Sequence, residues 1–234
     1  MSAHTAPRNP AVLSYYSLRR TVGIVALSLP FALPLGVILI ALIGPGHTLP
    51  HPLLEHSISD YRYTPMANCL AGSLCAIGAF LMGSRGYDLT DEITGYLAGA
   101  FAFGLALCPS VNPRDPVHTR LQLELNLAHT AFAALMFLAL AYFCLVLFCK
   151  SSPGASRTRR KRHRNAVYQV CGVVILVCDT VMVSLNFPAA ARILQPLDPL
   201  LTSESLALMA FGVAWLTKGK GILRDRPHNH VQPL

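Results

Sequence analysis

The stretch Leu125–Phe148, with the sequence LNLAHTAFAALMFLALAYFCLVLF, contains no Asp, Glu, Lys or Arg. A helix of this length rises about 36 Å at 1.5 Å per residue. That rise exceeds the roughly 30 Å hydrocarbon core of a bilayer. The stretch therefore predicts a transmembrane helix, and we use it as the reference for the rest of the chain.

Five further apolar stretches lie on either side of it. The third and sixth stretches in chain order are short and would need flanking residues to cross a bilayer. We expect an all-α polytopic bundle of six transmembrane helices over residues 22–217, between a cytoplasmic segment 1–21 and a cytoplasmic tail 218–234. The other five stretches are Val22–Gly44, Met66–Gly83, Ile93–Cys108, Ala166–Leu185 and Ser203–Thr217.

The charge distribution predicts the orientation of these spans. The chain has 234 residues, a formal net charge of +8 and 19 Lys and Arg residues. If the N-terminus is cytoplasmic, fifteen of the basic residues fall in inside segments and four in outside segments. This asymmetry follows the positive-inside rule, so we expect both termini inside and no nucleic-acid partner.

The densest basic run lies in the predicted inner loop Lys150–Arg164. Such a cluster can bind anionic lipid headgroups, at about 1 kcal/mol per basic residue near the surface. It can also act only as a topology determinant, and the two roles are compatible. The expected partners are therefore the lipid bilayer and its anionic headgroups. The basic residues are Arg157, Arg159, Arg160, Lys161, Arg162 and Arg164.

Asp179 is an ionisable residue inside a predicted span. A carboxylate at a helix centre costs about 2.5 to 3.5 kcal/mol on insertion scales, and less nearer the end. Asp179 should therefore face the bundle interior or a water-filled cavity. Two roles stay open: a group that carries a proton, ion or substrate, and a hydrogen-bonded clamp between helices.

Other polar residues are expected near the same outer side. His129 lies about one turn inside the fourth span, and Glu204 opens the sixth, where Thr202 or Ser203 could cap the helix. The topology places these residues and Asp179 toward the outside, so an outward-facing polar pocket is the prediction. Its candidate residues are Ser57, Ser59, Asp60, Asn68, His129, Asp179 and Glu204.

Small residues indicate where helices approach closely. Gly95 and Gly99 have GxxxG spacing in the third span, and Gly72 and Ala76 lie in the second. Such spacing lets helix backbones come together. We expect these two spans to form an antiparallel hairpin, whose small-residue face could also contact another membrane protein.

Three segments carry a family resemblance: SISDYRYTPMANCLAGSLCAIGAFL from Ser57, HTAFAALMFLALAYFCLVLF from His129 and ESLALMAFGVAWLTKG from Glu204. From Ser57 to Gly219 the chain resembles a family of small six-span bacterial membrane proteins, similar in layout to the Frag/DRAM/Sfk-like membrane proteins. The resemblance implies a location in the bacterial inner membrane and implies no activity.

Metal and cofactor motifs do not occur in recognisable form. Membrane ceramidases and adiponectin-receptor-like hydrolases use a Ser, an Asp and three His around zinc, whereas His129 is the only His in any span here. His47 and His51 have ligand spacing, but three prolines within Pro45–Pro52 exclude a helix there. The sequence also lacks G-x-S-x-G, H-E-x-x-H and phosphate-binding loops. We therefore expect no metal and no cofactor.

The leading functional hypothesis is a small-molecule or lipid-handling membrane module with an outward-facing polar pocket. One alternative is a membrane-embedded hydrolase, in which Asp60, His129, Asp179 and Glu204 would act, with or without a metal. Another is a structural subunit of a membrane complex.

Overall fold

The structure is a computed structural model that describes residues 10–44, 53–84, 88–150, 159–219 and 222. It is 82% helical, and the described residues contain no strand, so the predicted all-α class is confirmed. Seven α-helices occur in these ranges. They are α1 (Pro10–Ile43), α2 (Ala67–Gly83), α3 (Leu89–Leu107), α4 (Arg120–Tyr142), α5 (Arg159–Ser184), α6 (Pro188–Leu194) and α7 (Pro199–Lys218).

Four of the described helical segments are long and apolar enough to cross a membrane. They are Tyr16–Ile43 of α1, Arg120–Leu147, α5 and α7, and the second includes a π-helical continuation of α4 over Phe143–Leu147. Helix α2 is apolar but has 17 residues, and α3 has Asp91 and Glu92 in its first turn. Six spans were predicted, so the crossing of α2 and α3 stays a prediction.

Five of the long helices, α1, α3, α4, α5 and α7, begin earlier than their apolar stretches suggested, and two of these extensions change an expectation. Helix α5 begins at Arg159, so the basic residues up to Arg164 form its first turns and not a loop; Arg157 lies outside the described residues. Arg and Lys are good helix formers, which explains the extension. Helix α7 begins at Pro199, a residue suited to a first turn. Thr202 and Ser203 therefore lie inside α7 and do not cap it.

The six long helices form a closed ring. Each packs against its neighbour in the chain, and α7 packs against both α5 and α1. Helices α2 and α3 are adjacent and antiparallel. We call the end of the ring that carries residues 53–66 and 108–119 the pocket end, and the opposite end, where α5 begins and α7 ends, the basic end.

Lysine side chains tie the helices together at the basic end. The carbonyl of Phe148, just after the π-helical turn, accepts hydrogen bonds from Lys161 Nζ (3.3 Å) and Lys218 Nζ (3.2 Å). Lys150 Nζ pairs with Asp88 Oδ2 (2.9 Å) and Asp91 Oδ1 (2.5 Å). The hydrogen bonds from Lys161 and Lys218 supply partners for the Phe148 carbonyl, which the end of a helix leaves free. They also show that Lys161 of the predicted headgroup cluster is used within the protein.

Glycines allow two pairs of helices to approach closely. A Cβ atom on Gly99 would lie 2.6 Å from the Gly78 carbonyl oxygen and 2.5 Å from Met82 Cγ. A Cβ atom on Gly212 of α7 would lie 2.8 Å from the Gly23 carbonyl oxygen of α1. Contacts this short exclude any side chain beyond glycine unless the helices separate. The α2–α3 and α7–α1 contacts therefore depend on these positions.

We expect Gly99→Leu to destabilise the protein because its side chain would push α2 and α3 apart, at a cost of roughly 1 to 3 kcal/mol or more. Gly72→Leu is the matched control, since no atom lies within 4 Å of a Cβ there. Leu97→Ala is a second control, because Leu97 is 49% exposed. Thermal unfolding in detergent should show a clear loss for Gly99→Leu alone. Equal melting temperatures for all three variants would contradict the close approach.

Candidate functional site

A cavity of about 310 Å³ lies at the pocket end, between residues 57–60 and helices α4, α5 and α7. Its size falls at the lower limit of small-molecule sites, roughly 300 to 1,000 Å³. The apolar side chains of its lining include Ala133, Phe137, Met182, Leu185 and Leu200. Polar side chains of the same helices also line it, so the cavity can contact both the apolar and the polar part of an amphiphilic molecule.

The structure brings six of the seven candidate residues to this single cavity. Asn68 is the exception: it is exposed in the first turn of α2 and does not line the cavity. Helix α2 packs between α1 and α3, away from the helices that form the cavity. The residues brought together are Ser57, Ser59, Asp60, His129, Asp179 and Glu204.

A short 3₁₀ helix, Ser59–Tyr63, contributes polar side chains to the lining of the cavity. The Asp60 N–H donates to the Ser57 carbonyl (3.2 Å), and the Ser59 N–H donates to Ser57 Oγ (2.8 Å). Arg62 fixes the turn to the end of α3, because its guanidinium donates to the Ala106 carbonyl (2.7 Å). Tyr61 is fully buried beneath it. The turn is thereby held rigidly against the helices.

Glu204 holds this turn from the opposite side. Its Oε2 accepts the Ile58 N–H (2.5 Å) and its Oε1 accepts the Ser57 hydroxyl (3.3 Å). Glu204 is buried in α7, five residues beyond the first helical residue Pro199. The expectation that Glu204 opens this helix is therefore wrong, because it lies beyond the first turn of α7. The carboxylate instead supplies acceptors to the backbone of another segment.

His129 connects the turn to the end of α3. Its Nδ1 lies 2.7 Å from the Cys108 carbonyl oxygen, and its Nε2 lies 3.0 Å from Ser59 Oγ. A carbonyl can only accept, so Nδ1 carries the proton and the neutral ring has its lone pair on Nε2. The Ser59 hydroxyl therefore donates to Nε2. No local pattern in the sequence predicts this pair, because the two residues are 70 positions apart in the chain.

Asp179 lines the cavity from α5. Its Oδ1 is buried and has no hydrogen-bond partner among the described residues. His129 and Glu204 border the same cavity but bind other groups. A carboxylate oxygen buried without a partner carries a large desolvation cost. Asp179 is thus available to a proton or to a polar group that enters the cavity.

The Asp60 carboxyl is strongly affected by its surroundings. Burial, and after it the nearby Glu55 carboxylate, raise the pKa of Asp60 from its ordinary value of 3.8 to about 6. The charges of His56 and Arg114 act in the opposite direction, and Asp198 raises the pKa slightly. The carboxyl therefore changes its charge near neutral pH, as functional carboxyls often do.

No group of three or more metal-ligating side chains comes together within the described ranges. No family model, curated protein or solved structure matches this chain. Function is therefore inferred from the cavity itself.

The raised pKa of Asp60 predicts a pH-dependent stability. Because the folded-state pKa exceeds the unfolded value, the stabilisation from the proton on Asp60 is complete below about pH 4 and is lost as the pH rises through 6. It amounts to on the order of 3 kcal/mol. Asp60→Asn is neutral at every pH. Its melting temperature in detergent, relative to the wild-type protein, should therefore increase from about pH 4.5 to about pH 7.5.

Asp115→Asn is the control for this measurement, because it makes the same chemical change at an exposed carboxyl in the 108–119 loop. For Asp115→Asn we expect the difference in melting temperature from the wild-type protein to stay constant between these pH values. If the difference in melting temperature between Asp60→Asn and the wild-type protein does not change with pH, the raised pKa of Asp60 is contradicted.

Proposed function

We propose that this chain is a multi-pass protein of the bacterial inner membrane with six transmembrane helices and both termini in the cytoplasm. The closed ring supports this proposal, because α2 and α3 lie side by side with four helices long enough to cross a bilayer. At 1.5 Å per residue, α2 and α3 span about 25 and 28 Å, close to the hydrocarbon thickness. The positive-inside asymmetry supports a cytoplasmic basic end.

Reporter fusions test this topology. An enzyme reporter placed after Gly46 or after Pro113 should read outside the cytoplasm, and one placed near Ser156 should read inside. The expected pattern follows from the excess of Lys and Arg at the basic end. An outside reading near Ser156 would refute the proposed orientation.

The basic end is proposed to bind anionic headgroups through the first turns of α5. Arg159 and Arg162 are exposed there, and Arg160 and Arg164 are partly exposed. Lys161 contributes its charge while it donates to the carbonyls of Phe148 and Lys150. On the proposed topology these residues lie beside the anionic cytoplasmic leaflet.

We further propose that the protein binds a small amphiphilic molecule or lipid in the cavity at the pocket end, which faces outward. The observation that carries this proposal is that the lining of the cavity combines apolar side chains with polar and carboxyl side chains. Ligand sites commonly combine apolar walls with a few polar groups that orient the ligand. The unpartnered Asp179 Oδ1 is one such group.

The charges around the cavity favour neutral or cationic headgroups. Asp60, Asp179 and Glu204 contribute three carboxyls to its lining, and His129 is the one side chain among the described lining residues that can become a cation. Two arginines lie near the turn, and both have partners: Arg114 is paired with Glu55 at 2.6 Å, and Arg62 donates to the Ala106 carbonyl. An anionic headgroup would face uncompensated carboxylates, which is costly at low dielectric.

Binding of two matched probes tests this proposal. A fluorescent single-chain amphiphile with a quaternary ammonium headgroup is titrated into nanodiscs that contain the protein, and its sulfate-headed counterpart is titrated likewise. Empty nanodiscs give the background from partition into lipid. We expect at least about tenfold tighter binding of the ammonium probe, and about tenfold weaker binding of it after Asp179→Asn, since one favourable charge is lost.

Thr180→Ala is the control, because Thr180 is exposed and its hydroxyl donates to the Leu176 carbonyl of its own helix. This variant should bind as the wild-type protein does, and neither Thr180→Ala nor Asp179→Asn should lower the melting temperature. If Asp179 is only a clamp, Asp179→Asn will keep its affinity while Asp179→Leu loses stability. Absence of specific binding of either probe to the wild-type protein would refute the proposed function.

A further inference from the structure

We propose that Ser59 and His129 form an acyl-transfer centre in this cavity, and that the protein hydrolyses an acyl ester of a neutral or cationic amphiphile. This inference rests on the proposed binding function, because it takes place in the same cavity. The hydrolase suggested by the sequence alone had no nucleophile. The geometry now supplies one.

The hydrogen bond between Ser59 and His129 has the direction that nucleophile activation needs. Ser59 Oγ lies 3.0 Å from Nε2, the nitrogen that carries the lone pair in the tautomer fixed by Cys108. An activated serine needs a base within hydrogen-bond reach and a third group that orients the base. The Cys108 carbonyl fills the third position, which a carboxylate fills in the Ser-His-Asp triad.

The position of the pair suits a reaction within the cavity. Both residues line the cavity, Ser59 is partly exposed, and His129 is 8% exposed. The 3₁₀ turn holds Ser59 by hydrogen bonds of its neighbours, while α4 holds His129. Such pre-organisation reduces the cost of bringing the reacting groups together. A serine hydroxyl that only satisfied a buried histidine would not need to open onto a cavity.

Asn126 is placed to stabilise the oxyanion. It lines the cavity one turn before His129 on α4, and its Oδ1 accepts the Val111 N–H at 3.0 Å. That bond fixes the orientation of the amide, since a backbone N–H cannot donate to the NH₂ group. The NH₂ group of Asn126 is therefore the donor left for a charged oxygen formed in the cavity. One such donor typically contributes about 10² to 10³ in rate.

The reaction balances with water as the only co-reactant. Ser59 Oγ attacks the ester carbonyl carbon as its proton moves to His129 Nε2. The C–O bond to the alcohol then breaks, and the alcohol oxygen takes the proton from His129. Water attacks the acyl-serine, giving a proton to Nε2, and Ser59 regains that proton as the carboxylic acid leaves. One ester and one water thus give one acid and one alcohol.

The lining of the cavity defines the substrate class. Phe137, Met182 and Leu185 are apolar lining residues that suit contact with an acyl chain. The carboxyls of Asp179 and Glu204 disfavour an anionic headgroup. The same carboxyls repel the carboxylate product once it has ionised, which favours its release. An acyl ester with an uncharged or cationic alcohol part meets all of these conditions.

A fluorophosphonate probe with a short neutral alkyl chain tests the nucleophile. Ser59 Oγ would displace fluoride at phosphorus and form a stable P–O bond. We expect in-gel labelling of the wild-type protein in nanodiscs, with the adduct found on Ser59 by mass spectrometry. Labelling should be lost in Ser59→Ala and slowed at least about 100-fold in His129→Gln, which lacks the base. Ser28→Ala is the control, since Ser28 is an exposed residue of α1.

Turnover and pH dependence separate catalysis from a structural role. The wild-type protein should hydrolyse para-nitrophenyl octanoate with a rate that depends on pH, and Ser59→Ala should abolish this rate. A retained cooperative thermal unfolding transition of Ser59→Ala in detergent shows that the variant is folded. Probe binding without labelling of wild-type protein, or labelling that persists in Ser59→Ala, would overturn the acyl-transfer centre alone. Absence of probe binding would instead overturn the binding function.

Discussion

The buried carboxylate of Glu204 is the interaction on which the candidate site depends. It accepts the Ile58 N–H and the Ser57 hydroxyl, and so joins the chain segment before α2 to the last long helix. Without it, a buried backbone N–H would lose its partner, at a cost of roughly 1 to 3 kcal/mol. Ser59 and Asp60 belong to the same turn. Their positions relative to His129 and Asp179 therefore follow from one acid in α7.

Hydropathy was sufficient to predict the all-α class and the approximate positions of the long helices. It was less informative at their ends, because polar residues such as Arg159 can extend a helix beyond its apolar part. It also missed α6, whose seven residues are too few for a periodic pattern. Helices α2 and α3 are apolar over most of their length, but α2 has only 17 residues and α3 carries two acids in its first turn, so they differ from the four long apolar helices.

The sequence constrains the depth of a residue in the bundle much better than its angle around the ring. Ser59, His129, Asp179 and Glu204 were grouped by depth, and the structure places them around one cavity. Asn68 has a similar depth, but α2 is on another side of the ring. Pairings such as Ser59 with His129, or Gly23 with Gly212, depend on that angle and on which helix lies next to which. No local pattern in the sequence carries this information.

The closure of the ring by α1 and α7 has a consequence for biosynthesis. Helix α1 is synthesised before α7, against which it packs, so one face of α1 stays uncovered until α7 has been made. The helix face around Gly23 packs against residues of α7, and the Ile58 N–H donates to Glu204 of α7, so neither has its partner before α7 is present. Intermediates that lack α7 would therefore present unfinished packing and an unpaired amide to quality-control proteases. Premature truncation in α7 should consequently affect the abundance of the whole chain, and not only the helix that is removed.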